Sequence, residues 1–200
     1  MQLTGIIRKW IFFFYVMDAN KDGVLEASDI EEIIDRVFEI RKGYFSKGEQ
    51  KHLHYQTLKS FDRLLIEATK GKKRQITLLE WVQIIQRYND DVDRKPYFIR
   101  WFAASAMKFL FDLCDHNQNG ELDFDEFASL YRILGLNRKE TLYAFKYLDE
   151  NKDCVLSKME MYNAIREFFS SSNATINNYA FGQYESISED YINKLEAVEE

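Results

Sequence analysis

The sequence predicts an all-α protein, a compact globule built from four helix–loop–helix units in two pairs. A twelve-residue pattern of oxygen-bearing side chains recurs along the chain, and apolar residues flank each copy at helical spacing. The chain also has only one Pro and eight Gly in 200 residues, which argues against turn-rich β structure. A hydrophobic content of 46% is ample for a core and excludes a disordered chain.

The repeated pattern occurs three times with all its oxygen-bearing positions filled. The windows are loop 1 (18–29, DANKDGVLEASD), loop 3 (115–126, DHNQNGELDFDE) and loop 4 (149–160, DENKDCVLSKME). Positions 1, 3, 5, 9 and 12 carry side-chain oxygens, and position 8 is apolar. Around loop 1 the helical stripe is Trp10, Phe13, Phe14 and Met17 before the loop, and Ile30, Ile33, Ile34 and Val37 after it. Each loop is therefore expected to join two amphipathic helices.

This spacing suits a hard divalent cation. Calcium prefers six to eight oxygen ligands at about 2.3–2.6 Å, and a short loop supplies them when alternate residues point inward and position 7 lends its carbonyl. The predicted ligands are Asp18, Asn20, Asp22, Val24, Glu26 and Asp29 in loop 1; Asp115, Asn117, Asn119, Glu121, Asp123 and Glu126 in loop 3; and Asp149, Asn151, Asp153, Val155, Ser157 and Glu160 in loop 4. The sequence thus predicts three calcium sites.

The three loops differ in two positions. Loop 1 ends in Asp29, which is one methylene shorter than the Glu126 of loop 3, so a six-ligand shell that also accepts magnesium is expected there. Position 6 requires a sharp turn that suits Gly, but loop 4 has Cys154. A side chain in the left-handed region costs about 1–2 kcal/mol, so loop 4 is expected to bind with reduced affinity.

A fourth copy, loop 2, spans residues 69–80 (TKGKKRQITLLE) when Ile76 is aligned with position 8. Its flanking apolar stripes persist, but its ligands are lost. Position 5 is Lys73 and position 6 is Arg74, and these basic side chains would repel a dication. Loop 2 is expected to be structural, pairing with loop 1. The basic run could also form a patch for an anionic partner or a localisation signal, with a solvated turn as the simpler reading.

The chain divides into an N-terminal pair (1–92), a C-terminal pair (93–169) and a terminal segment (170–200). Pro96 is expected in the first turn of the helix that opens the second pair. Residues 41–54 form a connector, which is expected to lengthen the third helix. Residues 185–200 are polar and acidic, a composition compatible with disorder.

Composition excludes several functional classes. The formal net charge of −6 does not suit a general nucleic-acid binder. The longest apolar run, 11–17, is too short to span a membrane. Two cysteines, Cys114 and Cys154, indicate a reducing, cytoplasmic compartment. There is no phosphate loop, nucleophile elbow, HExxH or CxxC motif, so no catalytic function is predicted. His52 and His54 are interpreted as solvated connector residues, and His116 as pointing outward. A monomer is expected.

The loop pattern resembles the EF-hand family. Within it, the dead second loop, Asp29 closing the first loop, the irregular spacing and the segment 134–136 (LGL) resemble the invertebrate sarcoplasmic calcium-binding proteins, with calexcitin as a relative. This resemblance covers nearly all the chain and implies an aromatic-rich globule with short β-bridges between paired loops. It also implies that the terminal segment packs between the halves, through Ile176, Tyr179, Phe181 and Tyr184.

Three functions follow, in decreasing order of preference. A calcium buffer binds calcium and magnesium and barely opens; the dense aromatic content and only five Met favour it. A sensor would expose a hydrophobic surface to a target protein, a role for which Met-rich faces are suited. A luciferin-binding or photoprotein-like carrier would hold a ligand in an aromatic cavity near Trp10, Trp81 and Trp101.

Overall fold

The computed structural model describes residues 5–69, 71, 73–135 and 138–171, together with Phe181 and Tyr191. Helices and two-residue strands alternate within these ranges. In chain order they are α1 (Gly5–Met17), β1 (Val24–Leu25), α2 (Ala27–Ile40), α3 (Lys47–Ala68), β2 (Ile76–Thr77), α4 (Leu78–Asp90), α5 (Lys95–Cys114), β3 (Glu121–Leu122), α6 (Phe124–Ile133), α7 (Arg138–Leu148), β4 (Leu156–Ser157) and α8 (Lys158–Ser170). The all-α prediction with four helix–loop–helix units is confirmed.

The helices bury the stripes that the sequence predicts. On α2, Ile30, Ile33, Ile34 and Val37 have no exposed surface, because residues three and four apart share one face of a helix. The stripe that enters loop 1 on α1 is buried in the same way. In the parts of the chain that the structure describes, no helix combines the length and apolarity needed to cross a membrane.

The loops pair through short antiparallel bridges. Strand β1 of loop 1 pairs with β2 of loop 2, placing Leu25 opposite Ile76. Strand β3 of loop 3 pairs with β4 of loop 4, placing Leu122 opposite Leu156. These four position-8 side chains are all fully buried. The pairing of loops in twos is confirmed, and so is the placement of loop 2 by its Ile76.

The connector between the first two units lengthens α3, as predicted. This helix begins at Lys47 and runs for 22 residues. Ser46 and Glu49 define its start, since the Ser46 N–H donates to Glu49 Oε2 at 2.8 Å and the Glu49 N–H donates to Ser46 Oγ at 3.3 Å. Pro96 lies in the first turn of α5, again as predicted.

An aromatic cluster joins the two halves of the molecule. The Trp10 ring on α1 lies 4.0 Å from the Phe169 ring on α8 and 5.7 Å from the Trp81 ring on α4, measured between ring centroids. The Trp81 Nε1–H also donates to the Trp10 carbonyl at 3.0 Å. Phe181 is buried against this cluster, 5.4 Å from Phe13. Ile176, Tyr179 and Tyr184 lie outside the described residues.

One cation, Lys9, is buried on α1 without having been singled out by the sequence. Its Nζ donates to the Ser171 carbonyl at 3.1 Å and lies 5.4 Å from the centroid of the Phe168 ring. Burial lowers the pKa of Lys9, while the Glu167 carboxylate acts in the opposite direction. The end of α8 is thereby attached to α1.

Candidate metal centres

Loops 1, 3 and 4 share one arrangement of backbone hydrogen bonds around the position-1 carboxylate. In loop 1, Asp18 Oδ1 accepts from the Asp22 N–H at 3.2 Å and Asp18 Oδ2 accepts from the Gly23 N–H at 2.9 Å. Asp115 and Asp149 accept from positions 5 and 6 of their own loops in the same way. The first half of each loop is therefore wrapped around its first carboxylate.

The position-12 carboxylate draws the two ends of each loop together. Asp29 accepts from the Ala19 N–H at 3.0 Å and from the Glu26 N–H at 2.9 Å. Glu126 and Glu160 accept from positions 2 and 9 of their loops at 2.8–3.2 Å. Although Asp29 is one methylene shorter, it makes the same two backbone contacts.

Positions 3 and 5 form consecutive side-chain turns. Asn20 Oδ1 accepts from the Asp22 N–H at 2.9 Å, and Asp22 Oδ1 accepts from the Val24 N–H at 2.8 Å. Asn117 and Asn119 in loop 3, and Asn151 and Asp153 in loop 4, make the equivalent bonds. All six side chains have oxygen lone pairs beyond those used here.

Positions 7 and 9 lie at the exit of each loop. Val24 and Glu121 begin strands β1 and β3, and Val155 directly precedes β4. Position 9 is the N-cap of the exiting helix, and the Asp123 and Ser157 oxygens accept from the position-12 N–H at 2.8 and 3.2 Å. The Ser157 hydroxyl also donates to Glu160 Oε2 at 2.7 Å. Sequence reasoning missed this capping role, although the spacing of Asp123 or Ser157 three residues before Glu is its signature.

Two positions in each loop have left-handed backbone. At position 6, φ is 87° for Gly23, 83° for Gly120 and 68° for Cys154, so the predicted strain at Cys154 has its geometric basis. Position 4 has φ of 56–62° in all three loops, at Lys21, Gln118 and Lys152. The sequence pattern did not reveal this second turn, because these three residue types have no preference for it.

The carboxylates that close the loops are largely buried. Asp18, Asp29, Glu126, Asp149 and Glu160 are all buried, and burial raises the pKa of Asp29. Among the described residues, none of them forms a salt bridge with Lys or Arg, although the Lys21 ammonium attracts Asp18 and Asp29 from a longer distance. Buried ionised carboxylates are costly without a compensating positive charge, and a divalent cation would supply it.

The donor set of each loop fits a hard cation such as calcium. In the described part of the chain, no three His, Cys, Asp or Glu side chains by themselves form a metal-holding group. The loops combine carboxylates with Asn amide oxygens and one backbone carbonyl, the mixed oxygen set that calcium accepts.

Loop 2 contains its own positive charge. Glu80 at position 12 accepts from the Thr77 N–H at 3.1 Å, as its counterparts do from position 9. Its other oxygen is paired with the Lys73 ammonium, which comes from position 5 of the same loop. The hydrogen bond from Lys73 is the main cause that lowers the pKa of Glu80. That loop 2 does not bind metal stays a prediction.

The prediction for His116 was wrong. His116 is at position 2 of loop 3 and was expected to point outward, but its Nδ1 lies 2.5 Å from Glu126 Oε1. Its ring also packs edge-on against Tyr44, with centroids 5.4 Å apart. Tyr44 follows α2 in the chain, so this is a long-range contact, which the sequence pattern does not show.

Loop 1 has an additional partner that sequence reasoning missed. The Tyr191 hydroxyl donates to Asp18 Oδ2 at 2.5 Å, across 173 sequence positions. The contact is buried, and burial is the main cause that raises the pKa of Tyr191. No local signal around Tyr191 indicates it.

Comparisons with known proteins agree with this arrangement. The profile of the EF-hand domain pair family matches residues 104–169, and that of the EF hand matches residues 13–34. Calerythrin of Saccharopolyspora erythraea is 28% identical over 156 residues, which cover 76% of this chain and 84% of calerythrin.

Two solved structures show the same fold at lower identity. The calcium-loaded apo form of coelenterazine-binding protein from Renilla muelleri has a TM-score of 0.67 at 19% identity, covering 88% of this chain and 95% of that protein. Amphioxus sarcoplasmic calcium-binding protein has a TM-score of 0.62 at 19% identity, covering 91% and 99%. The chain is thus similar to EF-hand proteins over residues 13–34 and 104–169 and to calerythrin over most of its length, and it shares its fold with the amphioxus sarcoplasmic calcium-binding protein.

Proposed function

We propose that the protein is a cytoplasmic calcium buffer that binds three calcium ions, through the predicted ligands of loops 1, 3 and 4. One observation carries this proposal: each of these loops places its first and last carboxylates on backbone donors, without a salt bridge to Lys or Arg among the described residues. In loop 2, by contrast, Lys73 supplies the positive charge. Three bound ions would neutralise the formal charge of −6.

Buffering is favoured over sensing because the apolar interior is already occupied by the protein itself. The rings of Trp10, Phe13, Phe102, Phe169 and Phe181 pack at centroid distances of 4.0–5.7 Å. A sensor must separate such helices to expose a groove, and here that would break contacts between both halves.

The carrier alternative is less well supported by the packing beside Phe13, although a more open aromatic cleft of about 280 Å³ lies at Trp101, with Tyr88 and Phe98. A pocket lined by apolar side chains of α1, α3 and α5, including Phe13, Phe61 and Phe109, has a volume of about 20 Å³. Small-molecule sites usually measure about 300–1,000 Å³. The interior at this point has room for about one water.

Fluorescence of the hydrophobic dye ANS in chelator, in magnesium, and in magnesium plus calcium tests the buffer. We expect equally low fluorescence in the two metal-loaded states. A rise specific to calcium would replace the buffer with a sensor, which would then need a target protein. Binding of coelenterazine, titrated in parallel, would support the carrier.

Calcium stoichiometry by native mass spectrometry tests the assignment of the sites. The parent should bind three ions. Asp29→Asn, Glu126→Gln and Glu160→Gln should each lose one ion, because each removes a carboxylate that closes a loop. Glu80→Gln is the matched control in loop 2 and should lose none; a fourth ion in the parent would contradict the assignment.

We further propose that loop 1 also takes magnesium, since Asp29 favours a compact shell of six ligands. Asp29→Glu should weaken magnesium competition at loop 1, as measured by calcium titration at fixed magnesium. Glu126→Asp in loop 3 should have the opposite effect. Unchanged competition in both variants would contradict the role of position 12.

A further inference from the structure

Tyr191 contacts loop 1 at a predicted metal ligand. Tyr191 is buried, and its hydroxyl donates to Asp18 Oδ2 at 2.5 Å. Within the described chain, the equivalent carboxylates of loops 3 and 4, Asp115 and Asp149, have only backbone N–H donors. This contact therefore distinguishes loop 1 from the other two loops.

The hydrogen bonds orient the two oxygens of Asp18 differently. Oδ2 accepts from both Tyr191 Oη and the Gly23 N–H, at 2.5 and 2.9 Å, which uses both of its lone pairs. Oδ1 accepts only the longer bond of 3.2 Å from the Asp22 N–H. The oxygen with acceptor capacity left for a cation is Oδ1, and Tyr191 helps to hold the carboxylate in that orientation.

The Tyr191 ring makes a second connection to the same loop. It packs edge-on against Tyr15, with centroids 4.8 Å apart. The Lys21 ammonium in turn lies over the Tyr15 ring, 3.9 Å from its centroid. Lys21 is the residue at position 4 of loop 1, where the backbone is left-handed. Tyr191 thus contacts the loop directly at position 1 and, through Tyr15, at position 4.

We propose that Tyr191 is a positioning residue for loop 1, so that metal binding there and docking of Tyr191 favour each other. The inference rests on the proposed metal site of loop 1. Groups that orient a metal ligand through hydrogen bonds typically change metal affinity by about 10–100-fold when removed. Because coupling between two binding events is reciprocal, the ion must strengthen docking by the same factor.

The first experiment measures the affinity of each loop separately. Calcium is titrated while the amide NMR signals of Gly23 and Gly120 are followed, since each donates to the position-1 carboxylate of its own loop. In Tyr191→Phe, which keeps the ring, loop 1 should bind about tenfold more weakly and loop 3 should be unchanged. The matched control is Tyr143→Phe, at an exposed tyrosine of α7.

The outcomes separate the inference from the site on which it rests. An unchanged or tighter affinity at Gly23 in Tyr191→Phe, or an equal loss at Gly23 and Gly120, would overturn the role of Tyr191 alone. No response of Gly23 to calcium or magnesium in the parent would overturn the metal site of loop 1 and the inference with it.

The second experiment measures the reverse effect. Hydrogen exchange of the peptide that contains Tyr191 is compared with and without calcium. Exchange should slow about tenfold in the parent and in Glu126→Gln, which disables loop 3, but not in Asp29→Asn, which disables loop 1 and keeps Asp18. Equal calcium protection in all three proteins would show that docking is independent of loop 1.

Discussion

Cys154 has left-handed backbone at position 6 of loop 4, where the other two proposed calcium loops have glycine. Its φ of 68° lies in the region that favours glycine, while its N–H still donates to Asp149 at 3.0 Å. Cys154→Gly should therefore tighten calcium binding at loop 4 by up to about tenfold, since 1.4 kcal/mol corresponds to a factor of ten. Strain at Cys154 lowers the calcium affinity only to the extent that the metal-free loop can relieve it by leaving the left-handed conformation.

Calcium titration of the parent and of Cys154→Gly measures this effect. Cys154→Ser is the control, because it keeps a Cβ in the left-handed region and should leave the affinity of loop 4 unchanged. Equal affinities in the glycine variant and the parent would contradict the strain explanation.

The burial of Lys9 is expected to make the stability of the protein depend on pH in the alkaline range. Burial lowers its pKa in the folded chain, so between that lowered pKa and the unfolded value of 10.5 the unfolded chain binds more protons. The free energy of unfolding should therefore rise with pH in this window, by at most about 1.4 kcal/mol per pH unit for a single proton.

Lys9→Met should remove this contribution and make the profile flatter, as measured by urea unfolding in chelator at a series of alkaline pH values. Lys146→Met, at an exposed lysine of α7, should follow the parent. If the free energy of unfolding rises as steeply with pH in Lys9→Met as in the parent, the slope comes from other titrating groups.

At the level of helices and loops, the periodic signals could be predicted and the long-range contacts could not. The stripe of α2 and the loop pattern of Asp115 to Glu126 depend on neighbours within a few turns, so the sequence alone indicates them. The Tyr191–Asp18 and Tyr44–His116 contacts join distant segments. Their partners have no periodic signature, and only the folded chain brings them together.

The ion pair within loop 2 is expected to contribute little to the stability of the protein. The Lys73 and Glu80 side chains are 51% and 33% exposed, so water screens their attraction. Lys73→Met should cost less than about 1 kcal/mol in the free energy of unfolding in chelator. Lys42→Met, at an exposed turn after α2, is the control; a larger specific loss would show that the pair is structurally essential.

On the scale of the whole molecule, the aromatic cluster makes the two halves interdependent. Trp10 and Phe169 come from the first and last described helices, and their ring centroids are 4.0 Å apart. Phe169→Ala should destabilise the protein by about 3–5 kcal/mol. It should also leave a single unfolding transition, because both halves lose the same contact.

Far-ultraviolet circular dichroism and tryptophan fluorescence, followed during urea unfolding in chelator, should give coincident curves for the parent and the variant. Leu142→Ala, at a half-exposed position of α7, should shift the midpoint far less. Two separate transitions in the parent would indicate halves that unfold independently.

If the proposed sites bind calcium, the ion pair between Lys73 and Glu80 should also affect the shape of the calcium-binding curve. Through the β1–β2 bridge, loop 1 has a neighbour whose cation is a side chain of the protein itself and is not a bound ion. Loops 3 and 4, by contrast, are both proposed calcium sites, and they are joined through the β3–β4 bridge. We therefore expect a Hill coefficient of one for the calcium titration followed at Gly23 and above one for that followed at Gly120. Occupancy of loop 1 would then rise gradually with calcium concentration, and occupancy of loops 3 and 4 would rise steeply.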